Sequence, residues 1–311
     1  MALKPVPIAI QKSWSKCPRQ SLNIKNGFMA PKPVPIARQI FIFHFSFTKV
    51  TMIKKRLDIL SIYSELILYK TYADLRAETE RTYLGFLWWI FEPIMYMSVF
   101  YIIFGLLLAR GTKDFVPFLL VGLTAWQWFK SCLSHGAETI LGSHHLMQQV
   151  YLPKVIFPIV LILTDTVKFI FIFALLLIFL WSYGYGVGLP YLALPIVLIV
   201  QMLFTTTFTF LLAAIVPFVP DLRFVVENLL TAIFFMSGIF LAADAVPEAY
   251  QSLYYLNPMV SIIESYRNIL MYNTLPDWSA LLIIGGFSLV GILLTVRLIA
   301  HFEYIYPKVM R

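Results

Sequence analysis

The sequence predicts an all-α integral membrane protein that crosses the bilayer six times, with an amphipathic helix ahead of the first span and short re-entrant helices before the last. Three observations carry this expectation. Hydrophobic residues make up 60% of the 311 positions and charged residues only 13%, against roughly 45–50% and 25% in soluble domains. Six apolar stretches reach the length of about 20 residues that a helix needs to cross the hydrocarbon layer. Lysine and arginine are distributed unevenly between the segments that connect these stretches, as membrane topology requires. The same composition excludes a soluble enzyme and a disordered chain, because so few charges cannot cover a water-exposed surface. Two cysteines, Cys17 and Cys132, exclude a disulfide framework.

Residues 1–51 read as a basic, proline-containing extension. They hold eight Lys/Arg and no acid, so the net charge of +8 belongs entirely to them and argues for no nucleic-acid partner. Pro5, Pro7, Pro18, Pro31, Pro33 and Pro35 interrupt any helix. The run Lys4-Pro-Val-Pro-Ile-Ala9 returns as Lys32-Pro-Val-Pro-Ile-Ala37, too few copies for a repeat array. Met52-Ile-Lys-Lys-Arg56 then resembles an ordinary chain start, so the extension is expected to be dispensable; the alternative is a basic arm on anionic headgroups. Residues 52–83 form the next unit. Leu57, Leu60, Tyr63, Leu66 and Ile67 recur at helical spacing with charges between them, the pattern of an amphipathic helix on a membrane surface or under a partner.

Residues 84–311 form the membrane domain. Its spans are expected at 84–108, 115–133, 156–181, 189–218, 224–243 and 279–300. Trp88, Trp89, Trp126 and Trp128 lie near span ends, where amphipathic rings anchor at the interface. With the amino terminus inside, the inner segments after Met52 carry eleven Lys/Arg and the outer loops carry three, Arg110, Lys113 and Arg267. Both termini are therefore expected in the cytoplasm. The outer segment 244–277 contains an apolar run too short to cross twice, which suggests helices that dip in and return.

No glycine is followed by lysine anywhere, so there is no phosphate-cradling loop. Neither an Asp-x-Asp nor a His-Glu-x-x-His pattern occurs, and no metal site is expected. His144 and His145 are adjacent and cannot share one ligand face on a helix. On the first span, Trp88, Glu92 and Tyr96 are spaced four apart and share one face. A carboxylate there is costly against lipid and points to protein or a water-filled path. Flat aromatic rings suit the C–H faces of sugars, although the same rings suit an interfacial belt. Glu227, Thr231 and Phe234 form a similar stripe on the fifth span, which also suits a helix–helix seam. Asp165 and Lys168 lie three apart in the third span and can neutralise one another; an ion site there would favour a gradient-driven carrier. Arg267 and Glu264 have the spacing of a local surface pair, worth about 0–1 kcal/mol.

Three stretches carry a family resemblance. Arg81-Thr-Tyr-Leu-Gly-Phe-Leu-Trp-Trp-Ile-Phe-Glu-Pro93, Val150-Tyr-Leu-Pro-Lys-Val-Ile-Phe-Pro158 and Asn257-Pro258 followed by Arg267 occur in that order. Together with the six-span layout, they resemble the type-2 ABC exporter permeases, in their polysaccharide-exporting branch. The resemblance runs from about Met52 to the end. Glu78-Thr79-Glu80 stands where that family usually carries basic residues, which leaves Arg81 as the cation at the cytoplasmic mouth.

The resemblance implies a transporter subunit rather than an enzyme. Two copies would pair in a bacterial inner membrane over two copies of a separate P-loop ATPase, which binds the ATP and magnesium; this chain binds no cofactor directly. The cargo would be a lipid-linked glycan such as O-antigen or capsule. Trp88, Glu92, Tyr96, Glu227, Thr231 and Phe234 would line the conduit. Asn257, Pro258 and Arg267 would belong to an outer gate, and Lys154, Phe157 and Pro158 would meet the ATPase. A gradient-driven transporter, or a membrane enzyme transferring sugar or acyl groups to lipid, is the alternative. The latter should carry clustered carboxylates, whereas the four acids of 244–277 are scattered.

Overall fold

A computed structural model describes residues 61–80, 83, 85–100, 102–103, 114–149, 152–240 and 246–309. The expected extension 1–51, Arg81 and the end of the first apolar stretch lie outside these residues. Among the described residues the structure is helical, without strands. The first helix, α1, covers residues 61–80. Then come α2 (Trp88–Phe100), α3 (Phe115–Gly142), α4 (His144–Gln149), α5 (Ile156–Tyr183), α6 (Leu194–Ile215, led in by a 3-10 turn at Leu189–Ala193) and α7 (Leu222–Met236). The series ends with α8 (Glu248–Tyr254), α9 (Pro258–Leu270), α10 (Trp278–His301) and α11 (Tyr306–Val309).

Three helical segments are long and apolar enough to cross a membrane: Ile156–Tyr183, Leu189–Ile215 and Trp278–His301. α6 lies at the centre of the bundle, packed between α3 and α10, while α5 and α9 close against α3. Small residues make these seams close. A side chain on Gly136 of α3 would bring a Cβ to 2.5 Å from Thr209 Cγ2 of α6, and Gly291 of α10 is packed on Thr207. Thr207 also donates to Ser288 O of α10 at 2.9 Å. Such small and hydroxylated contacts let helices approach where lipid supplies no hydrophobic drive. Opposite this seam, Leu282, Ile283, Phe287, Val290 and Leu293 of α10 face outward, as a lipid-facing surface does.

One apolar core runs through α3, α5, α6, α9 and α10. A second lies where α3, α5, α6 and α10 meet α11. There Tyr306 is fully buried and donates to Ala214 O, and Phe218 packs edge-on against Phe302.

Helix ends follow local chemistry. α3 continues nine residues beyond the span expected at 115–133, because Gly136, Ala137 and Ile140 prolong its buried stripe. α7 stops at Met236, short of the expected 243. Gly238 has φ +72°, the left-handed conformation that ends helices without a Cβ clash. α9 starts where the Asn257 side chain accepts from Met259 N and Pro258 occupies the first turn, which has no intrahelical acceptor for its nitrogen. Asp277 caps α10 by accepting from Ser279 N and Ala280 N. The Ser279 hydroxyl, together with these backbone bonds, holds the Asp277 carboxyl below its ordinary pKa. Asp277→Ala should destabilise the α10 start by about 1 kcal/mol, read as faster amide exchange at Ser279 and Ala280. The folded pKa is depressed, so the cap contributes above the ordinary carboxylate range and is lost as pH falls through the folded value. Equal exchange in both proteins would refute the cap.

Candidate functional site

α2, α3, α5 and α7 enclose a cavity of about 520 Å³. Trp88 and Trp89 reach it from α2, Trp126, Trp128, Lys130, Ser131 and Ser134 from α3, Phe169 from α5, and Thr231 and Phe234 from α7. Trp126 and Trp128 are almost fully buried, and Trp128 stacks on Phe169 with ring centroids 4.1 Å apart. Phe234 meets Trp126 at 5.8 Å. Offset and tilted aromatic pairs of this kind build rigid apolar walls. Polar side chains line it too, among them Thr124, Gln127, Lys130, Ser131 and Lys168. Ser134 Oγ is sealed from solvent and has no hydrogen-bond partner among the described residues. The chamber thus joins flat aromatic faces to polar side chains, a combination that suits sugar rings.

Three of the six expected conduit residues, Trp88, Thr231 and Phe234, therefore meet in one chamber. Glu227 is exposed one turn earlier on α7 and is not part of the lining. The side chains of Glu92 and Tyr96, on α2, lie outside the described residues.

A second cavity, of about 650 Å³, lies between α1, the end of α3 and the start of α5. The two cavities share Glu78, His135, Asp165 and Lys168. Asp165 accepts from Ser131 Oγ at 3.2 Å and meets His135 Nδ1 at 2.9 Å. Lys168 Nζ donates to Asp165 at 3.3 Å and reaches Glu78 Oε2 of α1 at 2.5 Å. The expected Asp165–Lys168 pair is present, but it is one link of a chain across three helices. His135 and Ser131 gave no signal in the sequence, and Glu78 stood out only as an acid where the resemblance expects a base, because all three lie 30 to 90 residues from their partners.

Arg267 departs most from expectation. It is no surface partner of Glu264: the residue is 4% exposed, and Glu264 receives the Tyr255 hydroxyl instead. The guanidinium donates to Phe118 O, to Gly238 O at 2.7 Å and to Ile239 O at 3.0 Å, and lies 3.4 Å above the Phe118 ring. Five donors in a planar fork satisfy several carbonyls at once, which an ammonium cannot do. Asn257 grips the same turn, donating to Ser237 Oγ at 3.0 Å. Both Asn257 and Arg267 thus clasp α9 to the end of α7, and Pro258 sets the helix between them. A further anchor was not legible in sequence. Gln201 of α6, fully buried, donates to Ala125 O and accepts from Tyr266 of α9, both at 2.7 Å.

Lys154, Phe157 and Pro158 are all buried. Phe157 belongs to the second core. Burial pushes the Lys154 ammonium pKa down, and Glu303 opposes the shift. Among the described residues beside this stretch, Gln148 and Gln149 of α4 are exposed.

Residues 71–271 match the ABC-2 type transporter family. The chain is 30% identical over 230 residues to the O-antigen export system permease protein RfbA of Myxococcus xanthus, a match covering 73% of this chain and 88% of that protein. Two proteins of the same description from Klebsiella pneumoniae are each 26% identical, over 227 and 212 residues. Those matches cover 72% and 68% of this chain, and 88% and 82% of the relatives.

Proposed function

The chain belongs to the ABC-2 type transporter family, and from that premise we propose that it exports a lipid-linked polysaccharide of the O-antigen class across a bacterial inner membrane. It is an integral membrane permease subunit, not an enzyme, and its family works with a separate ATP-hydrolysing subunit. The observation that carries the cargo is the 30% identity, over 88% of its length, to a protein described as an O-antigen export permease. The tryptophan-walled chamber supports it, because ring faces beside polar side chains suit a glycan. We further propose six spans, with α2, α3 and α7 joining the three longest apolar segments, and a homodimer over two ATPase copies that bind the nucleotide and magnesium. Glu227 and Asn228 are exposed on α7 and are ill-suited to lipid, which supports a second copy or a water-filled path at that face. α8 and α9 would dip in from the outer side as the gate held by Asn257, Pro258 and Arg267. Arg81 would stand at the cytoplasmic mouth, and Glu92 and Tyr96 would continue the conduit along α2. The segment around Lys154, Phe157 and Pro158 would rest on the ATPase through α4.

Reconstitution tests the reading. The chain with its ATPase subunit should move lipid-linked glycan into liposomes when ATP is supplied. The chain alone under a proton gradient should not; movement in that second arm would replace the reading with a gradient-driven carrier. Truncation to Met52 should leave insertion and export intact.

Topology is tested separately. Single cysteines at Ser252 and Ser143, in a background without Cys17 and Cys132, should react with an impermeant maleimide from outside at 252 and not at 143. The reverse pattern would invert the orientation.

A further inference from the structure

We propose that the Glu78–Lys168 ion pair is a latch, closed in this structure, that α1 releases during transport to join the two cavities into one passage. The inference rests on four observations. First, the pair stands where the cavities meet: Glu78, His135, Asp165 and Lys168 line both, while Leu66, Lys70 and Asp74 line only the one against α1, and the tryptophans only the other.

Second, the two ends of the pair are held very differently. The Lys168 side chain is 13% exposed and also bonded to Asp165, whose side chain is 2% exposed and fixed by His135 and Ser131. The Glu78 side chain is 45% exposed, and Lys168 is its ion-pair partner. A buried carboxylate without its cation is strongly disfavoured, whereas an exposed one is readily rehydrated. The link therefore opens on the Glu78 side and leaves Lys168 seated. Asp165 is thus a positioning residue: it keeps the ammonium at the junction whether or not α1 is docked.

Third, the rest of α1 is suited to a reversible contact. Ile62, Leu68, Tyr69 and Tyr72 stay exposed on its outer side, while Tyr63, Leu66, Ile67, Lys70, Thr71 and Asp74 form the inner stripe. That stripe is part polar, and Lys70 and Asp74 pair with each other along the helix, so neither loses its partner when α1 moves away. Fourth, the chain of side chains spans three separate helices, α1, α3 and α5, and the Glu78–Lys168 pair is the link that ties α1 to α5, so motion of α1 loads that pair.

The role of the opened passage in transport rests on the export reading above; the latch itself does not. The test uses the assembled transporter with its ATPase subunit in inverted membrane vesicles, with Cys17 and Cys132 replaced by alanine. Ser134→Cys places a reporter in the tryptophan-walled cavity, outside the cavity under α1. An impermeant maleimide should label it slowly at rest. Labelling should be severalfold faster during ATP turnover, and severalfold faster at rest when Glu78→Gln is added. Equal rates at rest and during turnover overturn the latch, even if the Glu78→Gln protein fails to assemble.

A second arm tethers α1 to α5 through Ala77→Cys and Leu161→Cys, using bis-methanethiosulfonate reagents of graded length. Tethering should reduce glycan export to background, and reductant should restore it. Unchanged export by the tethered protein overturns the latch. Absence of export before tethering counts against the export reading instead, and the labelling arm still decides the latch.

Discussion

Replacing Arg267 by methionine is expected to cost the protein more stability than any other single change considered. The side chain is nearly sealed from solvent and donates to three carbonyls, at Phe118, Gly238 and Ile239. Methionine fills similar space without a donor. The two carbonyls of the turn after α7 would then be left short of partners, at roughly 1–3 kcal/mol each. The guanidinium's contact with the Phe118 ring would be lost as well, at up to about 2 kcal/mol when desolvated. Against a typical stability of about 5–15 kcal/mol, that is enough to release α9 from α7. Arg267→Lys should recover part of the loss, because an ammonium keeps the charge but cannot span the three acceptors. Gly122→Ala should act through the same clasp: its Cβ would lie 2.8 Å from Arg267 Nη2. The double variant should lose less than the sum of the two single changes. The measurement is the fraction of monodisperse protein surviving a temperature series in detergent. A melting temperature for Arg267→Met equal to that of the unmodified protein would remove the clasp from the account of the gate.

The double variant Trp88→Ala/Phe234→Ala is expected to lower export roughly tenfold. It removes two aromatic side chains from the chamber lining, one from α2 and one from α7. An aromatic contact contributes about 0.5–1.5 kcal/mol, and 1.4 kcal/mol corresponds to a factor of ten. Trp88 is 46% exposed, so its loss should spare the fold. Phe234 touches Trp126 and Phe240, and its single variant therefore serves as a check on stability. The complex should still assemble and hydrolyse ATP. Glu92→Gln is expected to leave assembly and basal ATP hydrolysis nearly unchanged. The readout is surface glycan per assembled transporter. Export at the normal level in the double variant would make these rings interfacial anchors and nothing more.

The sequence by itself determined the all-helical class, the three longest apolar segments and the family. Hydrophobicity over about 20 residues is a property of a continuous segment, whereas the end of α7 at Gly238 was hidden inside such a segment. The same locality explains why the stripes on α2 and α7 could be drawn from spacing alone, and why Trp88, Thr231 and Phe234 were candidates for one path. The tertiary structure decided which of these faces meet, and with what. Arg267 looked like the partner of Glu264 three residues earlier, yet its guanidinium reaches Phe118, 149 positions away. Asp165 was paired correctly with Lys168 but lacked His135, Ser131 and, through Lys168, Glu78. Phe157 and Pro158 sit in a motif that invites a docking role, yet both are buried. α3 outruns its apolar stretch because Gly136 fits against Thr209 of α6. In each case the deciding quantity is the desolvation of a polar or small group by a neighbour distant in sequence. Hydropathy registers how much a segment avoids water; it carries no record of which donor, acceptor or void will lie beside it once the helices have packed.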